Sequence, residues 1–198
     1  MKDEFLVIEK TLMEGNKRFM SNKLKLKDFS EKRRKDLKEN GQRPMAVVVS
    51  CSDSRVPPEI IFDLGLGEIF TVRNAGNIVD SNTIGNVEFA VNHLGAKYVL
   101  VMGHEKCGAV EAALEGVSNN EKLKGFIEPL ENVVANALEN NKKCTRKEII
   151  DIIEDKNVEA SANKLLESEN LRQLKRKDEI EIVKAKYFHE TGEVKILR

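Results

Sequence analysis

The sequence feature that most constrains the fold is a series of short apolar runs separated by segments of helical periodicity. The runs Met45–Val49, Ile69–Val72 and Lys97–Met102 have the length and the β-branched content of buried parallel strands. Residues 82–94 carry apolar side chains at helical spacing, and Ala109–Leu114 begins a further helix. Strands that alternate with helices predict an α/β fold, in which helices flank a central, mainly parallel sheet.

The two ends of the chain add helices and one late strand signal. Residues 1–40 predict an N-terminal helical arm, because apolar residues recur at helical spacing and a highly charged run follows them. Residues 121–178 are charged and also predict helix. The tail, residues 179–197, alternates apolar and polar side chains around a Thr-Gly pair, which predicts a terminal strand or hairpin. Because no repeat or linker interrupts the sequence, we predict a single domain over residues 1–198.

The charge and cysteine content exclude several classes of protein. The 33 basic residues balance the 33 acidic residues to a formal net charge of zero, which argues against a broad surface for nucleic acid or anionic lipid. The apolar runs are far shorter than the roughly 20 residues that span a bilayer. The start, Met1-Lys2-Asp3-Glu4, lacks the features of a signal peptide, so the three cysteines predict free thiols. We therefore expect a cytoplasmic protein with neither a nucleic-acid nor a membrane partner.

Four possible metal ligands fall in two pairs, each just past a predicted strand. Cys51 and Asp53 follow the first strand, and His104 and Cys107 follow the third. Parallel sheets bind ligands at the carboxyl ends of their strands, so the two pairs can converge there. Thiolate and imidazole favour zinc, and three firm ligands with an open fourth position are typical of catalytic zinc. Taken without context, the same residues are also compatible with a buried structural cysteine and a structural histidine.

Three sequence blocks carry a resemblance to a known family. They are Cys51-Ser52-Asp53-Ser54-Arg55-Val56, Arg73-Asn74-Ala75-Gly76-Asn77 and Gly103-His104-Glu105-Lys106-Cys107-Gly108. In order and spacing they closely resemble the β-class carbonic anhydrases, and the match is dense from about Gln42 to Leu114. The resemblance implies the α/β fold of that family and one zinc ion per chain.

The resemblance also implies the reaction and the residues that carry it out. Zinc would be held by Cys51, His104 and Cys107, and zinc-bound hydroxide would hydrate CO2 reversibly to bicarbonate and a proton. Arg55 would hold Asp53 away from the metal, while Asp53 accepts a hydrogen bond from the zinc-bound water. His93 and His189 are candidates for proton exit by residue type alone, and a structural role is the more common one for such histidines.

The substrate pocket of the family lies between subunits, so a homodimer or a dimer-based higher oligomer is implied. Gln42 matches a glutamine that hydrogen-bonds substrate from the partner chain, and Phe70 matches a pocket aromatic. Phe89 stands where plant members carry a tyrosine. Gly76 and Gly108 would let the backbone approach the ligand closely. Each phenylalanine alone is equally compatible with an ordinary core position.

The resemblance further implies one of two resting states. In one group of members, the residue matching Asp53 moves onto zinc at lower pH, a state favoured by bicarbonate in a pocket that contains a tryptophan. Val48 occupies the position of that tryptophan, and the chain has no Trp. Arg73 matches an arginine of the pocket but occurs in both groups. We therefore predict that Asp53 stays paired with Arg55.

Two alternatives to a carbonic anhydrase remain open. A hydrolase of carbonyl sulfide or carbon disulfide would share the fold and the metal site. A zinc-binding module without turnover would share the ligands, although a structural site has no need of the water-orienting Asp53–Arg55 pair.

Overall fold

The computed structural model describes residues 2–116 and 121–198. Its centre is a five-stranded sheet with the strand order β2-β1-β3-β4-β5. The strands are β1 (Ala46–Cys51), β2 (Ile69–Asn74), β3 (Tyr98–His104), β4 (Glu181–Tyr187) and β5 (Val194–Leu197). Strands β1 to β4 pair in parallel, and β5 pairs antiparallel to β4. The predicted α/β fold with a mainly parallel sheet is confirmed.

Burial explains why the inner strands read as continuous apolar runs. Every residue of β1 and of β3 is buried, because both faces of the sheet are covered by helices. The tail predicted as a strand or hairpin forms β4 and β5. Strand β4 also pairs with β3, which adds it to the parallel part of the sheet.

Eight α-helices and one 3-10 turn surround the sheet in the described ranges. They are α1 (Lys2–Met20), α2 (Glu31–Asn40), α3 (Pro58–Ile61), α4 (Ser81–Leu94), α5 (Gly108–Leu114), α6 (Glu121–Asn140), α7 (Arg146–Leu165) and α8 (Glu169–Arg176), with the 3-10 turn at Ala75–Asn77. The helical segment predicted over residues 121–178 is therefore three helices, and α5 begins close to where the sequence places it.

The N-terminal arm is not helical throughout, which corrects the prediction over residues 1–40. Helix α1 ends at Met20, and Asn22 adopts a left-handed conformation with φ of 53°. Helix α2 starts only after Ser30, whose hydroxyl caps it by accepting a hydrogen bond from the N–H of Arg33. The residues between the two helices are not helical, and the buried carboxylate of Asp63 binds the backbone N–H of Lys25 there.

Three apolar clusters form the core, and one of them packs against the carboxyl end of the sheet. Helix α1 packs on one face of the sheet, against Val48 and Leu100, while α4 and α7 pack on the other face, against Val47 and Val49. A third cluster lies between α5, α6 and α7 and contains both Cys51 and Cys107. The carboxyl ends of β1 and β3 therefore meet an apolar wall.

In the part of the chain that the structure describes, no helix combines the length and the apolar character that crossing a bilayer requires.

Candidate metal centre

Two strand ends and one helix start bring three candidate metal-ligand side chains together. Cys51 is the last residue of β1, His104 is the last residue of β3, and Cys107 precedes the first turn of α5. Because β1 and β3 are parallel neighbours, their ends lie side by side. All three residues are buried, and their ligand atoms lie within 4.8 Å of one another. The structure thus brings together the residues that the sequence proposes as metal ligands.

The two ring nitrogens of His104 differ in their contacts with the described residues. Its Nδ1 lies 2.9 Å from the carbonyl oxygen of Glu105 and 3.0 Å from Nε2 of His189. Its Nε2 is buried and has no hydrogen-bond partner among the described residues. An unpaired buried polar atom is costly, whereas a metal ligand that is oriented through its other nitrogen is a common arrangement. His104 Nε2 therefore fits a metal ion.

The two cysteines shift each other's pKa through a hydrogen bond between their sulfurs. A hydrogen bond from the Cys107 thiol lowers the pKa of Cys51, and the same contact, together with burial, raises the pKa of Cys107. The Cys51 sulfur also accepts hydrogen bonds from the N–H groups of Asp53, at 3.4 Å, and of Gly76, at 3.2 Å. These donors stabilise a thiolate. Two thiolates and one imidazole nitrogen form a donor set that zinc prefers.

Asp53 and Arg55 form a two-pronged ion pair beside the ligands. The distances are 3.0 Å from Arg55 Nε to Asp53 Oδ1 and 2.7 Å from Arg55 Nη2 to Asp53 Oδ2. The Arg55 guanidinium holds the pKa of Asp53 well below its usual range. Asp53 Oδ2 lies 4.0 Å from His104 Nε2, so the carboxylate faces the same space as the free nitrogen.

Arg73 braces the loop that carries this pair. From β2, its Nε donates to the carbonyl oxygen of Cys51 at 3.0 Å, and its Nη2 donates to the carbonyl oxygen of Asp53 at 2.6 Å. The sequence identifies Arg73 only through its match to a family arginine. The structure gives it a local role, which is to fix the main chain between a ligand and the acidic partner.

The two predicted pocket glycines differ in what the structure requires of them. Gly76 adopts φ of 64°, and a Cβ there would lie 3.1 Å from the Cβ of Ala109, so the position favours glycine. Gly108 is the first residue of α5, and a Cβ there would have no neighbour within 4 Å among the described residues of this chain. The close approach of the Gly108 backbone to a bound ligand therefore stays a prediction.

The other predicted pocket residues lie away from the ligands of their own chain. Gln42 is exposed four residues before β1 begins, at the end of the strand opposite Cys51. Phe70 pairs with Val47 in the sheet. Cys51 lies four positions after Val47 along β1, which corresponds to about 13 Å. Phe89 lies 6.4 Å from Phe70 between ring centroids and is 49% exposed.

The two histidines named for proton exit occupy different surroundings. His189 packs edge-on against the ligand His104, with ring centroids 5.1 Å apart. The ring of His93 packs on that of Phe89, with centroids 5.4 Å apart. His93 therefore lies with Phe89 and Phe70 rather than beside the candidate ligands.

Sequence reasoning missed the support that α7 gives to the ligands. Glu154 accepts a hydrogen bond from the N–H of Cys107, and Asn157 donates to the carbonyl oxygen of Gly76. The available signal was a set of polar residues spaced three and four apart within a charged helix. That spacing is also common on solvent-facing helices and does not by itself identify a buried role.

Comparison with known proteins gives the family. A family model described as carbonic anhydrase matches residues 46–194. Carbonic anhydrase 2 of Mycobacterium tuberculosis is 42% identical over 126 residues, which cover 64% of this chain and 60% of that protein. A structure from a study of two tetrameric β-carbonic anhydrases of Sordaria macrospora matches with 32% identity and a TM-score of 0.75, covering 80% of this chain and 83% of that one.

A further solved structure, the β-carbonic anhydrase CcaA, is 26% identical with a TM-score of 0.77, and the match covers 96% of this chain and 95% of that one. The chain belongs to the β-carbonic anhydrase family. Its match with the Mycobacterium tuberculosis relative spans 60% of that relative's length.

Proposed function

We propose that this protein catalyses the reversible hydration of CO2 to bicarbonate and a proton, with one zinc ion per chain. The observation that carries the proposal is the buried Cys51–His104–Cys107 cluster, with a free His104 Nε2 that faces the paired Asp53 carboxylate. Membership of the family supports the same reaction. Zinc held by the two sulfurs and by His104 Nε2 would supply a Lewis acid that lowers the pKa of a bound water.

Asp53 is the residue that orients the attacking water. Its Oδ1 accepts two hydrogen bonds, from the backbone N–H and the Nε of Arg55, while its Oδ2 accepts one, from Arg55 Nη2. A carboxylate oxygen offers two acceptor sites, so Oδ2 keeps one for water. This oxygen is also the one that lies 4.0 Å from His104 Nε2. Because its pKa is lowered, Asp53 stays an acceptor at neutral pH.

The wall behind the ligands suits a small substrate without charge. Cys51 and Cys107 belong to an apolar cluster that includes Ile78, Val110 and Leu130. Such a wall excludes water behind the ligands and leaves the polar Asp53–Arg55 side as the place where bicarbonate and the proton leave. Carbonyl sulfide and carbon disulfide share these properties, so the experiment must include one of them.

We infer that the active site is completed by a second copy of the chain. Gln42 and Phe70 lie at the opposite end of their strands from the ligands, so they reach a metal centre only if it belongs to a partner. The N-terminal arm carries the exposed apolar side chains Leu6, Leu26 and Phe29, which supports packing of the arm on that partner. The tetrameric relatives support an assembly of at least two chains.

The three cysteines support a reducing compartment such as the cytoplasm. Cys51, Cys107 and Cys144 are all free, and disulfides are rare in the cytosol. Free thiols are also the form that a zinc site requires.

One kinetic experiment separates the proposal from its alternatives. Stopped-flow CO2 hydration is measured on the zinc-loaded protein, with carbonyl sulfide hydrolysis followed in parallel. Rapid CO2 hydration supports the proposal. Hydrolysis of carbonyl sulfide alone would reassign the protein to that class of hydrolase, and zinc binding without either activity would make it a non-catalytic module.

A further inference from the structure

Helix α7 carries a stripe of buried polar residues on the face that packs near the Cys51–His104–Cys107 cluster. Glu154, Asn157 and Ser161 are each 4% exposed and occupy one face of the helix. Such side chains are seldom fully buried unless each has a specific partner. Gly103 permits this close packing, because a Cβ there would overlap Cγ2 of Val158. The stripe therefore lies against the end of β3, immediately before the ligand His104.

Glu154 links the ligand Cys107 to a buried lysine. Its Oε1 accepts a hydrogen bond from the backbone N–H of Cys107 at 3.2 Å, and its Oε2 lies 3.0 Å from Nζ of Lys186. The side chains of Glu154 and Lys186 are only 3% and 2% exposed. As the residue that precedes α5, Cys107 has an N–H with no partner inside the helix, so Glu154 supplies the acceptor.

Lys186 anchors Glu154 from the neighbouring strand. It lies on β4 opposite Gly103, and its ammonium group also contacts the carboxylates of Asp151 and Asp155. Those two carboxylates are 64% and 46% exposed. Glu154 is thus the one buried acid of the group and the only one of the three that also contacts Cys107 within the described residues.

Asn157 makes a parallel connection on the side of Cys51. Its Nδ2 donates to the carbonyl oxygen of Gly76 at 2.6 Å, and the N–H of Gly76 in turn donates to the Cys51 sulfur at 3.2 Å. One face of α7 therefore supports the main chain next to both cysteines of the cluster.

We propose that Glu154, anchored by Lys186, is a positioning residue for the ligand Cys107. Its carboxylate oxygen fixes the main chain at Cys107 so that the sulfur stays in register with Cys51 and His104. The consequence is tighter metal binding, since loss of an outer partner of a metal ligand typically costs about 10–100-fold in affinity. The inference rests on the zinc site of the proposed function.

Two double variants test the acceptor oxygen without leaving a buried charge. Glu154→Met with Lys186→Met removes the acceptor and both charges, while Glu154→Gln with Lys186→Met removes the charges but keeps an acceptor oxygen. Zinc affinity is measured by competition with a chromophoric chelator, and the coordination is followed by the visible absorption of the cobalt(II)-loaded protein. Asp151→Asn is the matched control, because Asp151 contacts Lys186 but not Cys107.

We expect the variant without the acceptor to bind zinc about 10–100-fold more weakly and to show a shifted cobalt spectrum. The variant that keeps the oxygen should lose clearly less affinity than this, because its amide oxygen can still accept from Cys107 although the Lys186 anchor is gone. The control should retain the affinity and the spectrum of the unaltered protein. Should the double methionine variant not fold, Glu154→Asp serves in its place, because it keeps the charge but withdraws the oxygen from Cys107 by one methylene.

Equal zinc affinity with and without the acceptor would overturn this inference and leave the proposed function intact. Failure of the unaltered protein to bind zinc would instead overturn the zinc site of the proposed function, and this inference with it.

Discussion

The guanidinium of Arg55 donates hydrogen bonds to both carboxylate oxygens of Asp53, which lies two residues earlier in the chain. These two bonds fix the orientation of the carboxylate. The pair sits on a loop whose carbonyl groups are held by Arg73. In the proposed mechanism, an acceptor held in place by its neighbours needs little reorganisation when substrate arrives. The geometry of this pair is thus set before any ligand binds.

Replacing the Asp53 carboxylate should separate catalysis from metal binding. We expect Asp53→Asn to lower CO2 hydration by about 100-fold, because the amide presents a donor where the water needs an acceptor. Zinc content should be unchanged, since Asp53 is paired with Arg55 and is not one of the three clustered ligands. Stopped-flow rates and elemental analysis check the two parts. An Asn variant with the full rate would contradict the assigned role.

The cysteine ligands should be needed for the metal itself. We expect Cys51→Ser and Cys107→Ser each to lose most of the zinc and most of the activity, because a serine hydroxyl is a poor zinc ligand beside thiolate and imidazole. The matched control is Cys144→Ser, since Cys144 is exposed and lies outside the cluster. Elemental analysis that finds one zinc per chain in both ligand variants would rule out the assignment.

The features that the sequence predicted well are local. Strands β1 and β3 follow from uninterrupted β-branched runs, which two covered faces of a parallel sheet require. The ligand cluster follows from the same reasoning, because Cys51 and His104 end neighbouring parallel strands. Each strand run and each ligand pair lies within a few consecutive residues, and the parallel pairing of β1 with β3 then brings the two pairs together.

The features that the sequence did not predict depend on contacts between distant residues. Within the break in the arm, the backbone of Lys25 is bound by Asp63 from 38 residues away. The support of Cys107 by Glu154 spans 47 residues and joins a side chain to a backbone N–H. Neither contact leaves a periodic signal, because Glu154 lies in a charged helix where most acids face solvent.

Asp63 should stabilise the fold in a pH-dependent way. Its carboxylate is 2% exposed and binds Arg18 Nε at 2.5 Å and Lys27 Nζ at 3.0 Å. Burial acts to raise the pKa of Asp63, but the hydrogen bonds from Arg18 and Lys27 outweigh it and lower the pKa. A lowered pKa in the folded state gives stability that is present above the unfolded value, near 3.8, and is lost as the pH falls through the folded value.

We therefore expect Asp63→Asn to lower the free energy of unfolding by about 2 kcal/mol at neutral pH. The difference from the unaltered protein should shrink at about pH 3, where the unfolded carboxyl is protonated. Urea denaturation at the two pH values measures both quantities. Asp36→Asn is the control, because the Asp36–Arg33 pair is on the surface and should contribute little. A difference independent of pH would contradict the electrostatic explanation.

Activity should require the assembled protein. Gln42 and Phe70 lie at the far end of their strands from the clustered side chains, so the proposed pocket needs a second chain to complete it. Dilution to monomer should therefore abolish CO2 hydration while far-ultraviolet circular dichroism shows the fold at least partly intact. Light scattering beside the kinetics identifies the species present. A monomer that retains full activity would show that the pocket is not shared.

The resting state of the site should be open, with no cooperative closure on acidification. Asp53 is paired with Arg55 as the sequence predicts, and Arg73 is engaged with two backbone carbonyls. Val48, at the position of the family's tryptophan, is fully buried in an apolar cluster and offers no N–H to an anion. An anion pocket beside β1 therefore lacks the partner that would orient bicarbonate.

We expect activity to fall gradually as the pH is lowered, with the slope of a single proton, because Arg55 keeps Asp53 in one arrangement. Added bicarbonate should not steepen this profile beyond the effect of chloride at the same ionic strength, which is the control for screening. The measurement is stopped-flow hydration from neutral pH downward in each salt. A steep, bicarbonate-dependent loss would contradict the open state, as would a crystal structure near neutral pH in which Asp53 binds the zinc directly.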